Sequence, residues 1–155
     1  MSEALTCFKA YDVRGQIPNE LNEDVVYRIG RAYVELINPG RVVIGRDVRE
    51  SSKLFSDTLA RGLTEGGADV YDIGLCGTEE VYFATFHEKM DGGIMITASH
   101  NPADYNGLKF VREQSRPISA DTGLQDIRRI AERGNFAKVD QVGKRQDLET
   151  NTAYI

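Results

Sequence analysis

Apolar positions along the chain alternate between two spacings. Val25, Val26, Ile29, Tyr33, Leu36 and Ile37 recur at intervals that line one face of a helix. Asn22 stands before this run as a capping residue, Glu23 and Asp24 supply first-turn acid, and Pro39-Gly40 ends the helix near Asn38. Val42-Val43-Ile44 is a short continuous apolar run, which predicts a buried strand. Leu54, Phe55, Leu59 and Leu63 then mark a second helix, with Ser51 or Ser52 as its cap and Gly66-Gly67 as its end.

The alternation repeats. Val70-Tyr71-Asp72-Ile73 reads as a strand, Thr78 caps a short helix through about His87, and Gly93-Ile94-Met95-Ile96-Thr97 reads as another buried strand. Strand and helix in turn predict a parallel sheet covered on both faces. The link between Thr97 and Leu108 is too short and turn-rich for a crossover helix, so Leu108-Lys109-Phe110-Val111 is expected to return antiparallel at the sheet edge. Asp121 or Ser119 starts a last amphipathic helix carrying Leu124, Ile127, Ile130 and Ala131, and Gly134-Asn135 stops it. Residues 138–147 read as a polar connector, and 148–155 open a further helix. The expectation is one domain over 1–147 and the start of a following domain over 148–155. Its fold class is α/β, a three-layer α/β/α sandwich with a mixed, mostly parallel sheet and one antiparallel edge strand.

Composition narrows the function classes. The 155 residues carry 19 basic and 24 acidic side chains, a formal net charge of −5, with the two signs interspersed and no basic tail. That argues against a dedicated nucleic-acid surface. No apolar stretch approaches the roughly 20 residues needed to span a bilayer, and Met1-Ser2-Glu3-Ala4 lacks the basic and apolar regions of a secretory signal, so a cytoplasmic location without membrane contact is expected. Cys7 and Cys76 belong to no CxxC or metal-ligand pattern and read as reduced, core-filling thiols, neither of them a nucleophile.

Candidate chemistry concentrates at Thr97-Ala98-Ser99-His100-Asn101-Pro102, a polar loop at the end of an apolar strand. Ligands of open α/β sheets bind at that carboxyl edge. Three further segments accompany it in order: Phe8-Lys9-Ala10-Tyr11-Asp12-Val13-Arg14-Gly15, Gly45-Arg46-Asp47-Val48-Arg49-Glu50-Ser51-Ser52 and Asp104-Tyr105-Asn106-Gly107-Leu108-Lys109. Together they resemble the α-D-phosphohexomutase family over nearly the whole chain. Gly77-Thr78-Glu79-Glu80-Val81-Tyr82-Phe83-Ala84-Thr85-Phe86-His87 and Arg116-Pro117-Ile118-Ser119 look most like the bacterial phosphomannomutases within it.

The resemblance implies that Ser99 carries the phosphoryl group. A serine hydroxyl is a poor nucleophile without a base or a cationic setting, and phosphoryl transfer depends mainly on charge neutralisation and positioning. By the same resemblance Lys109 and Arg14 face the transferring group, the lysine as point charge or proton carrier and the arginine as a bidentate fork. An imidazole ordinarily titrates near neutral pH, and His100 therefore has two readings, proton movement or substrate contact on one side and loop orientation on the other. Tyr11 and Asn101 are the substrate-contact candidates; for Tyr11 the competing reading is packing of the first loop. Pro102 restricts Asn101 to extended conformations and so shapes the loop exit. Gly107 has two equal readings, a glycine that lets the backbone turn tightly before Lys109 and a purely structural hairpin glycine. Arg46, Asp47 and Arg49 read as residues that brace one another rather than as a phosphate site. His87 reads as structural or surface.

Enzymes of this family have four domains, and the matching motifs belong to the first. The resemblance therefore implies the N-terminal domain of a phosphomannomutase that interconverts mannose 6-phosphate and mannose 1-phosphate through phospho-Ser99. It also implies a hexose 1,6-bisphosphate as intermediate and activator, and the remaining three domains of the same polypeptide as partners. Mg2+ is implied for the complete enzyme, with the Ser99 phosphate as the ligand from this chain; no Asp-x-Asp-x-Asp cluster occurs in it. Phosphoglucomutase is the alternative within the family. For the isolated chain the alternative is a noncatalytic phosphate-binding or interaction module. A serine hydrolase is disfavoured, since no Gly-x-Ser-x-Gly elbow surrounds Ser99.

Overall fold

The computed structural model describes residues 4–98 and 101–148. Its strands are β1 (Val13–Gln16), β2 (Arg41–Arg46), β3 (Asp69–Leu75), β4 (Gly92–Ile96), β5 (Tyr105–Arg112) and β6 (Arg145–Asp147), in the sheet order β1-β5-β4-β2-β3-β6. From β4 to β6 the strands are parallel, β5 runs antiparallel to β4, and β1 runs antiparallel to β5. The helices are α1 (Glu23–Ile37), α2 (Glu50–Glu65), α3 (Thr78–His87) and α4 (Leu124–Arg133).

Alternate residues of one strand feed two cores. Val42 and Ile44 of β2 join the large cluster with α1, α2 and α4, whereas Val43 joins the smaller cluster with Val81 and Ala84 of α3. In β4, Ile94 and Ile96 face the first cluster and Met95 the second. This two-residue period across a sheet covered on both sides explains the uninterrupted apolar runs in the sequence. The expected three-layer α/β/α sandwich with its mixed sheet is the fold observed. The expected antiparallel return is β5, and the short β1 pairs along its outer side, so β5 lies one strand in from the margin.

Helix ends follow the local signals in part. Asn22 caps α1, its side chain accepting from Val25 N–H at 3.0 Å, and Asn38 closes the helix in the left-handed region at φ 52°. The cap of α2 is Arg49, not Ser51 or Ser52, which fall inside the first turn. Ser52 is withdrawn from capping because its hydroxyl donates to Asp47 Oδ1 at 2.5 Å and accepts from Asn106 Nδ2 at 2.9 Å. Gly77 is the cap position of α3, its N–H held by Glu80 Oε1 at 3.2 Å, and Thr78 is the first helical residue. Helix α4 starts only at Leu124, because Gly123 at φ 140° separates it from a single 3-10 turn at Ala120–Thr122 that Ser119 begins. Gly134 ends α4 at φ 66°, where the sequence places the stop.

Residues 138–147 are not only a connector. Arg145–Asp147 forms β6 against β3, with Val70 N–H donating to Lys144 O and Leu148 N–H to Asp72 O. All three β6 residues are exposed, so no hydrophobic pattern announces the strand; backbone pairing and the Arg145 bridge to Asp72 at 2.6 Å hold it. Residues 149–155, where a further helix is expected, lie outside the described residues.

Candidate functional site

The motif segments converge at the carboxyl edge of the sheet. β2 leads through residues 47–49 into α2, and β4 continues through Thr97 and Ala98. Main-chain bonds tie these exits together: Asp47 N–H to Ile96 O at 3.0 Å, Cys76 N–H to Arg46 O at 3.0 Å and Thr97 N–H to Gly107 O at 3.0 Å.

Arg14 and Lys109 are brought to one face. Arg14 sits opposite Gly107 in the β1–β5 register, and Lys109 lies two residues further along β5, opposite Met95. Side chains two apart on a strand share a face, so both cations stand on the α3 side while Leu108 and Phe110 enter the large core. α3 packs on β2 and β4, and the Arg14 side chain is left 44% exposed, its Nη2 3.8 Å from Asp12 Oδ1. Tyr82 of α3 borders this surface; burial first, and then the Asp12 charge, push its hydroxyl above the usual tyrosine range. Tyr11 is 79% exposed in the loop before β1, so it does not pack that loop.

Of the two readings of Gly107, the tight turn is not the one observed. It lies inside β5 outside the left-handed region, and a Cβ there would overlap Val13 O and stand 3.1 Å from Thr97 O. Close approach of β1 and of the loop after β4 is what excludes a side chain.

Asp47 and Arg49 meet protein groups on both sides of the Ser99 segment. Asp47 Oδ2 accepts from Ala98 N–H at 3.3 Å, and Oδ1 accepts from Arg49 N–H at 3.1 Å. The Arg49 guanidinium donates to the carbonyl oxygens of Asn101, of Pro102 at 2.5 Å and of Tyr105 at 3.2 Å. Arg46 Nη1 lies 3.9 Å from Asp72 Oδ1. Asp47 and Arg49 brace one another as expected, whereas Arg46 departs from that expectation: its side chain turns to Asp72 of β3 instead of to either of them. Asn101 donates through both its backbone N–H, at 3.0 Å, and its Nδ2, at 2.9 Å, to Ala98 O. Ser99 and His100 lie outside the described residues.

Sequence reasoning missed Asn106. Fully buried, its Nδ2 donates to Ser51 Oγ at 2.8 Å and Ser52 Oγ at 2.9 Å, which joins β5 to the start of α2. An amide at a core-facing strand position, on the same face as Leu108 and Phe110, was the available signal. His87 is a surface residue, its ring stacked on Phe83 at 5.0 Å and Nε2 3.6 Å from Glu88. Burial pushes the Cys7 thiol up to about 11, and burial followed by the Glu80 charge pushes Cys76 up to about 12, so both stay protonated near neutral pH. They belong to opposite faces of the sheet, Cys7 in the large cluster and Cys76 against the small one.

A sequence profile described as phosphoglucomutase/phosphomannomutase, alpha/beta/alpha domain I, matches residues 6–138. The chain belongs to this family. A phosphomannomutase of Klebsiella pneumoniae is 62% identical over 136 residues, covering 88% of this chain and 87% of that protein. A phosphomannomutase of Escherichia coli strain K12 is 56% identical over 153 residues, covering 97% of this chain and 34% of that protein. A solved phosphoglucomutase/phosphomannomutase family protein from Burkholderia thailandensis superposes with a TM-score of 0.87 at 32% identity, covering 99% of this chain and 35% of that one. The chain thus spans about a third of the length of these last two relatives. Among the described residues no group of three His, Cys, Asp or Glu side chains could hold a metal ion, and no helix is long and apolar enough to cross a membrane.

Proposed function

We propose that residues 1–147 are the first domain of a four-domain phosphomannomutase, that 148–155 open the next, and that Ser99 carries the transferred phosphoryl group. The observation that carries this reading is the placement of Arg14 and Lys109 on one face beside the carboxyl end of β4, which leads directly into Ser99. Two cations there suit the charge spread over phosphoryl oxygens in transfer. In the forward half-reaction the bond between phosphorus and the Ser99 oxygen breaks as one forms to a hydroxyl of the hexose monophosphate. The hydroxyl proton leaves to a base and the serine oxygen is reprotonated, with His100 and Lys109 the groups assigned to proton movement. The resulting hexose 1,6-bisphosphate turns over and returns its other phosphoryl to Ser99; the same compound primes the enzyme. Tyr11 and Asn101 are assigned to the phosphosugar.

For Mg2+, the phosphate on Ser99 is the ligand assigned to this chain, and the remaining ligands are assigned to the other three domains. The reading places the enzyme in the cytoplasm, in keeping with two free thiols, and assigns it neither nucleic-acid nor membrane partners. Within the family the mannose assignment rests on the Klebsiella and Escherichia coli relatives, both phosphomannomutases. Glucose phosphates are the competing substrates.

In the complete protein, Ser99→Ala is expected to abolish mutase turnover, and peptide mapping of the active enzyme to place phosphate on Ser99. Near-normal turnover by that variant refutes the carrier role, and assays with mannose and glucose 1-phosphates separate the two sugars. Because the chain covers 34% of its Escherichia coli relative, these 155 residues alone are expected to be inactive; steady turnover by them refutes that assignment.

A further inference from the structure

The turn between β2 and α2 grips the Ser99 segment from both sides. On the entry side Asp47 accepts the Ala98 N–H, and on the exit side Arg49 donates to the carbonyls of Asn101, Pro102 and Tyr105. The two grips are one unit: Arg49 Nε lies 3.9 Å from Asp47 Oδ2, and Arg49 N–H donates to Asp47 Oδ1. The turn itself is fixed to the sheet, because Asp47 N–H donates to Ile96 O and Asp47 Oδ1 also accepts from Ser52, which Asn106 holds from β5.

Three carbonyl oxygens drawn together at a loop exit need donors, and few side chains can serve three at once. Guanidinium presents five N–H groups in a rigid planar fork, whereas an ammonium concentrates three on one atom. The Arg49 side chain is only 19% exposed, and three of its hydrogen bonds go to carbonyl oxygens of the loop backbone. Three peptide links separate Ala98 from Asn101, and both ends of that span are anchored by this turn.

We infer that Arg49, working with Asp47, is a positioning residue for phosphoryl transfer: it sets where the Ser99 oxygen stands relative to Arg14 and Lys109 through the loop backbone, without contacting the phosphoryl group. This rests on the assignment of Ser99 as the carrier. Transfer is steeply sensitive to alignment, a displacement on the order of 1 Å costing about a hundredfold in rate. A loosened loop also admits water to the phosphoserine, so hydrolysis gains on transfer.

The test uses Arg49→Ala and Arg49→Lys in the complete enzyme, with kcat normalised to the phosphate measured on Ser99. Arg49→Ala is expected to lower normalised kcat about a hundredfold, to raise the ratio of phosphoserine hydrolysis to transfer, and to speed amide exchange in residues 103–107 while β2 and β4 keep their protection. Arg49→Lys is expected to recover part of each loss. A purely structural arginine would lower the folded fraction and leave normalised kcat and the hydrolysis ratio at wild-type values; that result overturns the inference. A direct phosphate contact would lower normalised kcat with loop exchange unchanged, which overturns it as well. Wild-type enzyme that turns over without phosphate on Ser99 instead refutes the carrier assignment, so the two failures are distinguishable.

Discussion

Asn22 and Arg49 stand at equivalent places before two helices and do different work. Asn22 caps α1 through its own side chain, a local event three residues long, and the sequence shows it completely. Asn22→Ala should cost about 1 kcal/mol of stability, read as a shift in the urea midpoint with unchanged slope. Arg49 caps α2 with no side-chain bond to the helix, because its guanidinium is committed to carbonyls more than fifty positions away. Its local context suggests a brace among charged neighbours, and no local pattern says that the brace extends to the far side of the Ser99 loop. Asn106 is similar: its type and burial mark it as unusual, yet its partners Ser51 and Ser52 are visible only in three dimensions.

At the scale of elements, legibility followed hydrophobic content. α1, α2, β2 and β4 carry long apolar patterns and appear where the periodicity places them. β1 and β6 do not: β1 contributes one core side chain, Val13, and β6 contributes none. Main-chain ladders are nearly independent of side-chain identity, so strands held mainly by them leave little trace in sequence. On the function proposed above β1 carries a site residue, Arg14, alongside β5, and the absence of a side chain at Gly107 permits that pairing. Gly107→Ala should therefore push β1 outward, at a cost of about 1–3 kcal/mol. Normalised turnover in the complete enzyme should fall as well, because Arg14 moves away from Lys109. Thermal denaturation and single-turnover transfer together check this, and an unchanged rate in a destabilised variant would disprove the dependence on β1.

Across the whole molecule, two carboxylates tie Leu5 and Thr6 to the rest. Glu132 Oε2 accepts from Leu5 N–H at 2.8 Å, while Glu20 accepts from Gln16 N–H at 3.0 Å and Thr6 Oγ1 at 3.1 Å. These hydrogen bonds, led by the backbone donors, hold both carboxyls below their ordinary value of 4.5. A depressed native value means the folded state binds fewer protons than the unfolded one, so this contribution is present above 4.5 and is lost as pH falls through the lower native values. Amide protection at Leu5 should accordingly fall on acidification ahead of protection in β2 and β4, as hydrogen exchange at stepped pH would show. Simultaneous loss everywhere would mean that the tethers do not govern this segment.

The sequence by itself determined the helices, the buried parallel strands, the two-sided covering of the sheet and the order of the family motifs, because each is written in short-range periodicity, in capping residues or in contiguous segments. It also determined that Arg14, Ser99 and Lys109 lie in those motifs. Only the tertiary structure decided that β1 lies beside β5, that β6 completes the sheet, and that the turn after β2 clamps both sides of the Ser99 segment. A strand's alternation tells which residues share a face but not which strand will be its neighbour, and a guanidinium's partners depend on where distant carbonyls are brought.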